Sequence, residues 1–160
     1  MSISEKFVDP VPYNFKNRQL FFLHIPKTAG TTFSGILRQY FAPNEILPAY
    51  EWFHLFDKPL PALDTYSCIM GHFNYNFQML LPTEAVTVTF LRHPIERALS
   101  HFEHGRRATT EQYNEHQPLY KAEYRHDLGT LIMSDLVPPA YNNLMCRMLA
   151  GPKTPVLAAK

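Results

Sequence analysis

One stretch near the start of the chain constrains the fold more than any other. The apolar run 20–25, LFFLHI, is short enough to be a buried strand. Pro26 ends this strand because proline cannot donate to a sheet ladder. The turn 27–30 follows, and Thr31 or Thr32 is placed to cap a helix. The apolar residues of that helix recur at the spacing of one helical face: Phe33, Ile36, Leu37, Tyr40 and Phe41.

This strand, turn and helix together predict an anion-binding site. The first turn of a helix has unpaired N–H groups and the positive end of the helix dipole, and phosphate is its usual guest. Gly30 lets the backbone approach a ligand, Lys27 adds a positive charge, and Thr31 and Thr32 add hydroxyl donors. Lys27 precedes Gly30, whereas the lysine of a Walker A loop follows its last glycine. Hydrolysis of ATP or GTP is therefore not the first interpretation.

The motif 24–32, HIPKTAGTT, resembles the 5′-phosphosulfate-binding motif of sulfotransferases. It is most similar to that of carbohydrate sulfotransferases related to the heparan sulfate 2-O- and 6-O-enzymes, whose donor is 3′-phosphoadenosine-5′-phosphosulfate (PAPS). Many of these relatives carry two glycines where this chain has Ala29 and Gly30. The resemblance implies that the following residues bind the donor: Pro26, Lys27, Thr28, Ala29, Gly30, Thr31 and Thr32.

A second motif follows the strand predicted at 85–91, which is rich in β-branched residues. Arg92 at the strand end and Ser100, eight residues later on the next helix, resemble the 3′-phosphate-binding motif of sulfotransferases. An arginine can bind a phosphate through two parallel N–H bonds, and a serine hydroxyl adds one more. The alternatives are a surface ion pair for Arg92 and a solvated position for Ser100. The helix, predicted at 94–107, has an apolar face that leaves Arg97 and Ser100 outside it: Ile95, Ala98, Leu99 and Phe102.

The two candidate catalytic residues are Lys27 and His72. In sulfuryl transfer, charge grows on the bridging oxygen of the leaving group, and a cation aimed there stabilises the transition state. The resemblance implies this role for Lys27; the alternative is a lysine that only holds the donor phosphate. The acceptor hydroxyl must lose its proton, and a histidine suits that task. His72 ends a predicted strand and resembles the catalytic histidine of glycan sulfotransferases; a structural histidine is the alternative.

Other polar residues have weaker interpretations. His24 lies inside the first motif and is interpreted as structural. His101 and His104 are three residues apart on a predicted helix, but no third metal ligand has suitable spacing, so a solvated face is favoured over a metal site. Arg147 either contacts donor or acceptor, as the resemblance implies, or is an ordinary helix cation. The aromatic cluster at 50–56 is interpreted as core rather than as a substrate wall.

The order of the elements predicts an α/β, P-loop-like, three-layer fold with a mainly parallel central sheet flanked by helices. The other predicted elements are a strand at 66–71, helices at 49–57, 77–81, 128–136 and 141–150, and a surface helix or extended loop at 108–127. Ligands of such sheets bind beyond the carboxyl ends of the strands. Lys27, His72 and Arg92 each follow a predicted strand directly, so they are expected to face one crevice.

Composition limits the domain count and the partners. A chain of 160 residues predicts one domain at 20–151, with an N-terminal arm at 1–19 and a tail at 152–160. Its net charge of +1 gives no attraction to nucleic acid or to an acidic membrane. No signal peptide or membrane helix is visible, which predicts a cytoplasmic protein. Cys68 and Cys146 are expected to be reduced thiols.

The leading hypothesis is a PAPS-dependent sulfotransferase that transfers the sulfuryl group to a hydroxyl acceptor and releases 3′,5′-adenosine bisphosphate. The resemblance implies that the acceptor is a carbohydrate, and the reaction is expected to need no metal. The family's domains normally continue beyond the resembling region 20–151, so the chain is expected to be a fragment or a shortened form. The first alternative is a non-catalytic or truncated nucleotide-binding or interaction module. The second is a P-loop-type kinase, which would need a carboxylate for Mg²⁺ at a strand end that this sequence lacks. The sequence predicts no oligomeric state.

Overall fold

The computed structural model describes residues 18–55, 62–82, 84–107, 126–133 and 139–150. Only the last two residues of the predicted arm 1–19 are among them. The tail 152–160 and all but two residues of the segment 108–127 lie outside the described residues. The predicted domain limits therefore stay predictions.

In the ranges that the structure describes, three parallel strands form the sheet, and β1 lies in its centre. The strands are β1 (Leu20–Leu23), β2 (Cys68–Gly71) and β3 (Val86–Thr89), in the order β2-β1-β3. Leu20 pairs with Cys68 on one side and with Val86 on the other. All residues of β1 are apolar and buried, as expected of a parallel strand between two neighbours. Each strand lies within its predicted range, so the strand predictions are confirmed.

The described residues also form four α-helices and five 3₁₀ helices. The α-helices are α1 (Gly30–Tyr40), α2 (Pro94–Arg107), α3 (Leu128–Met133) and α4 (Leu144–Ala150). The 3₁₀ helices are Pro43–Glu45, Trp52–Leu55, Leu63–Thr65, Tyr75–Leu80 and Pro139–Tyr141. The helices expected at 49–57 and 77–81 are thus 3₁₀ helices, while the predicted bounds of α2 are confirmed. Within the described parts of the chain, no helix has the length and apolar character needed to cross a membrane.

Successive side chains of β1 point to opposite faces of the sheet and build two hydrophobic cores. Phe21 and Leu23 pack in a cluster that includes Phe77 and, from α4, Met148. Leu20 and Phe22 pack in a second cluster with Leu37 of α1. The sheet is therefore a middle layer between helices, and the predicted α/β fold with a parallel sheet flanked by helices is confirmed.

Helix α1 differs from its prediction at its start and along its buried face. It begins at Gly30, and the residue before it, Ala29, has a left-handed backbone and forms no side-chain cap. A cap by Thr31 or Thr32 is therefore wrong. The buried stripe consists of Gly30, Ser34 and Leu37, whereas Ile36 and Tyr40, which were expected on it, are 43% and 71% exposed.

Helix α2 also turns a different face inward. Ile95 and Leu99 are 64% and 45% exposed, so they do not form the predicted core face, and Arg97 is buried instead. The guanidinium of Arg97 donates to the backbone carbonyl of Ala140. Burial of a cation costs less when a hydrogen-bond acceptor is in place, and this bond explains why a charged residue occupies the inner face. Phe102 is buried as predicted.

Candidate active site

A cavity of about 820 Å³ opens at the carboxyl end of the sheet. Lys27, which follows β1, His72, which follows β2, and Arg92, which follows β3, all line it. Ser100 of α2 lines it too. The expected convergence of Lys27, His72 and Arg92 is therefore present, because the carboxyl ends of parallel strands meet at one edge of a sheet.

The turn before α1 has a backbone suited to an anion. Lys27 and Ala29 both lie in the left-handed region, with φ of 71° and 68°. Turns of this kind aim backbone N–H groups into a concavity, and here the concavity lies at a helix N-terminus. Gly30 meets the ring of His24 so closely that a Cβ atom would lie 1.9 Å from the His24 Cδ2 atom. Only glycine fits at the start of this helix.

The residues of the predicted donor loop do not all reach the cavity. Pro26, Lys27, Ala29, Gly30 and Thr31 line it. Thr28 is buried, and its hydroxyl donates to the carbonyl of Ile25 at 2.8 Å, which fixes the turn. Thr32 is exposed and is not among the lining residues. The structure thus places Thr28 as a support of the loop and Thr32 outside it.

Two cationic residues of the cavity wall, Lys27 and Arg92, lie close together. The Arg92 guanidinium approaches the backbone carbonyl of Lys27 at 3.5 Å and the Glu96 carboxylate at 3.4 Å. The pKa of Lys27 is lowered, first by burial and then by the charges of Arg107 and Arg92. An anion bound between these groups would relieve their mutual repulsion. The ion pair foreseen as the alternative for Arg92 is therefore present, and it leaves this guanidinium on the cavity wall.

His72 is held in a geometry that suits a general base. Its ring Nδ1 donates to the backbone carbonyl of His24 at 2.7 Å, since a carbonyl oxygen can only accept. In the neutral ring this leaves Nε2 with a free lone pair. Burial lowers the pKa of His72, opposed by the bond to His24 and by the charge of Glu51. The ring is therefore neutral near pH 7, and its tautomer is defined.

His24 and Tyr50 support the same corner of the cavity. The Tyr50 hydroxyl is hydrogen-bonded to His24 Nδ1, and the Tyr50 carbonyl accepts the His72 N–H at 2.7 Å. The ring centroids of His24 and His72 are 4.6 Å apart. Burial lowers the pKa of His24 to about 4 and raises that of Tyr50 to about 12, so both are uncharged at neutral pH. His24 has the structural role expected of it, and it also lines the cavity.

Two histidines of α2 line the cavity as well. The interpretation of His101 and His104 as a solvated face is wrong, because both rings are half-buried in the cavity wall. Burial, with the nearby charge of Arg97, lowers the pKa of His101 to about 4. The sequence signal was the position of His104, four residues after Ser100 and three after His101, because residues three or four positions apart lie on the same face of a helix. Within the described ranges, no group of three or more His, Cys, Asp or Glu side chains could hold a metal ion.

The far wall is formed by the segment before α4 and is held by two arginines. Arg97 donates to the carbonyl of Ala140, and Arg147 donates to the carbonyl of Pro139. Pro139 and Ala140 both line the cavity, whereas Arg147 does not. Arg147 therefore supports the cavity wall from outside the cavity. This role differs from both interpretations of the sequence, which were contact with donor or acceptor and an ordinary helix cation.

Sequence reasoning also missed Tyr50 and Glu51. Both line the cavity beside His72, although the aromatic cluster around them was expected to be core. Trp52 of that cluster does pack in the core, with its ring 5.3 Å from that of Phe77. The same aromatic cluster thus contributes to both the cavity wall and the core. No periodic pattern in the sequence tells its cavity-lining residues from its core residues.

Comparison with known proteins agrees with this geometry. A model of the sulfotransferase family matches residues 14–129. A protein-tyrosine sulfotransferase from Arabidopsis thaliana is 36% identical over 87 residues, which cover 52% of this chain and 17% of that protein. The chain thus spans less than a fifth of the length of this relative. No solved structure is significantly similar. Because the family model covers most of the chain, including both motifs at the cavity, the chain belongs to the sulfotransferase family.

Proposed function

We propose that the cavity binds PAPS and that its residues transfer the sulfuryl group to an acceptor hydroxyl. The observation that carries the proposal is the presence of Lys27, His72, Arg92 and Ser100 in the wall of one cavity. When bound, PAPS would supply the sulfuryl group. The loop 26–31 would hold its 5′ side, and Arg92 and Ser100 would hold its 3′-phosphate. The left-handed turn at the N-terminus of α1 fits a phosphate.

The protein's own groups divide the chemistry between them. Lys27 would place its charge where negative charge develops on the leaving phosphate, which lowers the barrier. His72 Nε2, left unprotonated by the bond from Nδ1 to the His24 carbonyl, would take the proton of the acceptor hydroxyl. The acceptor is proposed to be a carbohydrate from the resemblance of the motifs, whereas the relative from Arabidopsis thaliana is named for tyrosine.

The alternative is a nucleotide-binding module without turnover. Such a module would use the same loop and the same Arg92 in the cavity wall, and it would need no base at His72. Binding of the product nucleotide without sulfation of any acceptor would identify this case. The cytoplasmic location stays a prediction from the sequence.

The first experiment is a calorimetric titration with 3′,5′-adenosine bisphosphate. We expect tight binding by the wild type and a loss of about tenfold or more in affinity in Arg92→Ala, since a charged hydrogen-bonding group to phosphate is lost. Arg18→Ala is the matched control, because Arg18 is an exposed arginine that pairs with Glu84 and is not among the cavity-lining residues. ATP and adenosine 5′-monophosphate should bind weakly.

Absence of binding by a folded sample would contradict the proposal. Equal affinity of the wild type and Arg92→Ala would contradict the assignment of the 3′-phosphate site.

A further inference from the structure

The charges around the cavity are separated between its two sides. Lys27 and Arg92, which are in contact, follow β1 and β3. Glu51 lies on the opposite side with His72, which follows β2 at the other edge of the sheet. Among the described residues, Glu51 is the one acidic side chain that lines the cavity. The side that holds the base is therefore the negative side.

Hydrogen bonds fix the backbone of Glu51 beside His72. Its neighbour Tyr50 accepts the His72 backbone N–H at 2.7 Å, so the two segments are joined. The Glu51 N–H donates to His54 Nδ1 at 3.1 Å, and the Glu51 carbonyl accepts the His54 N–H at 3.1 Å. Glu51 and His72 line the same cavity, and the charge of Glu51 raises the pKa of the His72 ring. In the described part of the chain no lysine, arginine or histidine forms a salt bridge with it.

A carboxylate in this position discriminates between acceptors. It accepts hydrogen bonds from hydroxyl groups, and it repels a second anion held a few ångströms away. The far wall adds no charge, since Pro139 and Ala140 form it, and Leu144 of α4, which also lines the cavity, is apolar. The groups that would attract an anion, Lys27 and Arg92, are those assigned to the donor.

We propose that the acceptor is neutral and rich in hydroxyl groups, and that Glu51 selects against acceptors with an anionic group beside the reacting hydroxyl. This inference rests on the proposed function and deepens it. It favours a neutral glycan over a polyanionic glycan or an acidic peptide.

The test compares a matched pair of probes, cellotetraose and the same tetrasaccharide oxidised to carboxylates at C6. Their affinities are measured by calorimetry on protein saturated with 3′,5′-adenosine bisphosphate, and their kcat/KM values are measured with PAPS. We expect the wild type to prefer the neutral probe by about tenfold or more in both measurements. Glu51→Gln keeps the shape of the side chain, and it should reduce that preference about tenfold.

Two controls keep the result specific to Glu51. Glu84→Gln changes an exposed carboxylate that is not among the cavity-lining residues, and it should leave the preference unchanged. High salt should weaken the preference of the wild type, since it screens the repulsion. The salt series needs no variant, so it tests the inference even where Glu51→Gln does not fold.

The inference is overturned by an unchanged preference in folded Glu51→Gln, by a salt-independent preference, by a wild type that prefers the carboxylated probe, or by failure to bind the neutral probe. These outcomes differ from failure of the proposed function. Loss of bisphosphate binding would overturn the donor site itself, whereas bisphosphate binding without the expected selectivity would overturn only the role of Glu51.

Discussion

The structure of the cavity depends directly on the absence of a side chain at Gly30. A side chain at this position would meet the imidazole of His24, with a Cβ atom 2.1 Å from Nε2. The ring cannot easily move, because its Nδ1 is bonded to Tyr50 and its backbone carbonyl holds His72. The donor loop and the proposed base thus share one support.

Gly30→Ala should therefore damage both stability and binding. We expect a loss of about 3 kcal/mol in the free energy of unfolding, typical of overpacking in a tight site, and weak binding of adenosine bisphosphate. Gly35→Ala in the same helix is the control, since its Cβ would meet nothing within 4 Å. It should gain up to about 1 kcal/mol from helix propensity. Urea denaturation measures both, and equal effects would disprove the steric argument.

His72→Asn separates a catalytic from a structural histidine. The amide can still donate to the His24 carbonyl but cannot act as a base, so we expect a fall in kcat of about 10²–10⁴-fold with nearly unchanged bisphosphate affinity. Burial lowers the pKa of His72 below its ordinary value of 6.5, so the neutral base persists to lower pH. The acid-side fall of the wild-type kcat/KM should thus lie at lower pH than the fall expected for a histidine of ordinary pKa. A loss already complete at pH 7 would be inconsistent with this base.

In helix α2, the sequence pattern predicted the bounds of the helix correctly and its buried face poorly. Its bounds follow from Pro94 at the first turn, a local signal. Its buried face depends on Ala140, a distant residue whose carbonyl binds Arg97. A hydrophobicity pattern treats arginine as polar and therefore predicts that Arg97 faces solvent. The sequence does not reveal the Ala140 carbonyl, whose hydrogen bond makes the burial of Arg97 favourable.

Alanine substitutions on two faces of α2 test this orientation. Phe102 is buried, and Phe102→Ala should cost about 3–5 kcal/mol in stability. Leu99 was expected on the same face but is half-exposed, so Leu99→Ala should cost no more than about 1 kcal/mol. Chemical denaturation of both variants checks the difference. Similar costs would show that the helix is rotated toward the predicted face.

The residues of the candidate site also differ in whether local sequence could predict them. Lys27, His72 and Arg92 could be predicted because each directly follows a strand, and a parallel sheet brings strand ends together. Tyr50 and Glu51 could not, because their segment reaches the cavity through the hydrogen bond from the His72 N–H to the Tyr50 carbonyl. Such a pairing leaves no periodic trace in the chain.

Across the whole molecule, buried neutral histidines make the fold sensitive to acid. His24 and His101 have pKa values of about 4 against an ordinary 6.5. In the unfolded chain they take up protons as the pH falls below 6.5, but in the folded protein they do so only near pH 4. The unfolded state then binds more protons, so stability falls as the pH drops through this window.

Urea denaturation at pH 7 and pH 5 measures this effect. We expect the free energy of unfolding to be lower at pH 5 by about 2 kcal/mol, with an allowance for solvent screening of partly exposed rings. His101→Asn should reduce the difference. Stability that is equal at the two pH values would mean that these rings take up protons freely in the folded protein.

The central position of β1 also determines when the site can form during synthesis. The Leu23 carbonyl accepts a bond from Thr89, 66 residues later, and the His24 carbonyl accepts one from His72, 48 residues later. Such distant pairings are slow to form because a long loop must close first. The wholly apolar strand β1 therefore keeps at least one unpaired edge until β3 has left the ribosome. Lys27 is made early, yet its cavity is completed only after α2, so a truncated translation product would expose β1 to aggregation.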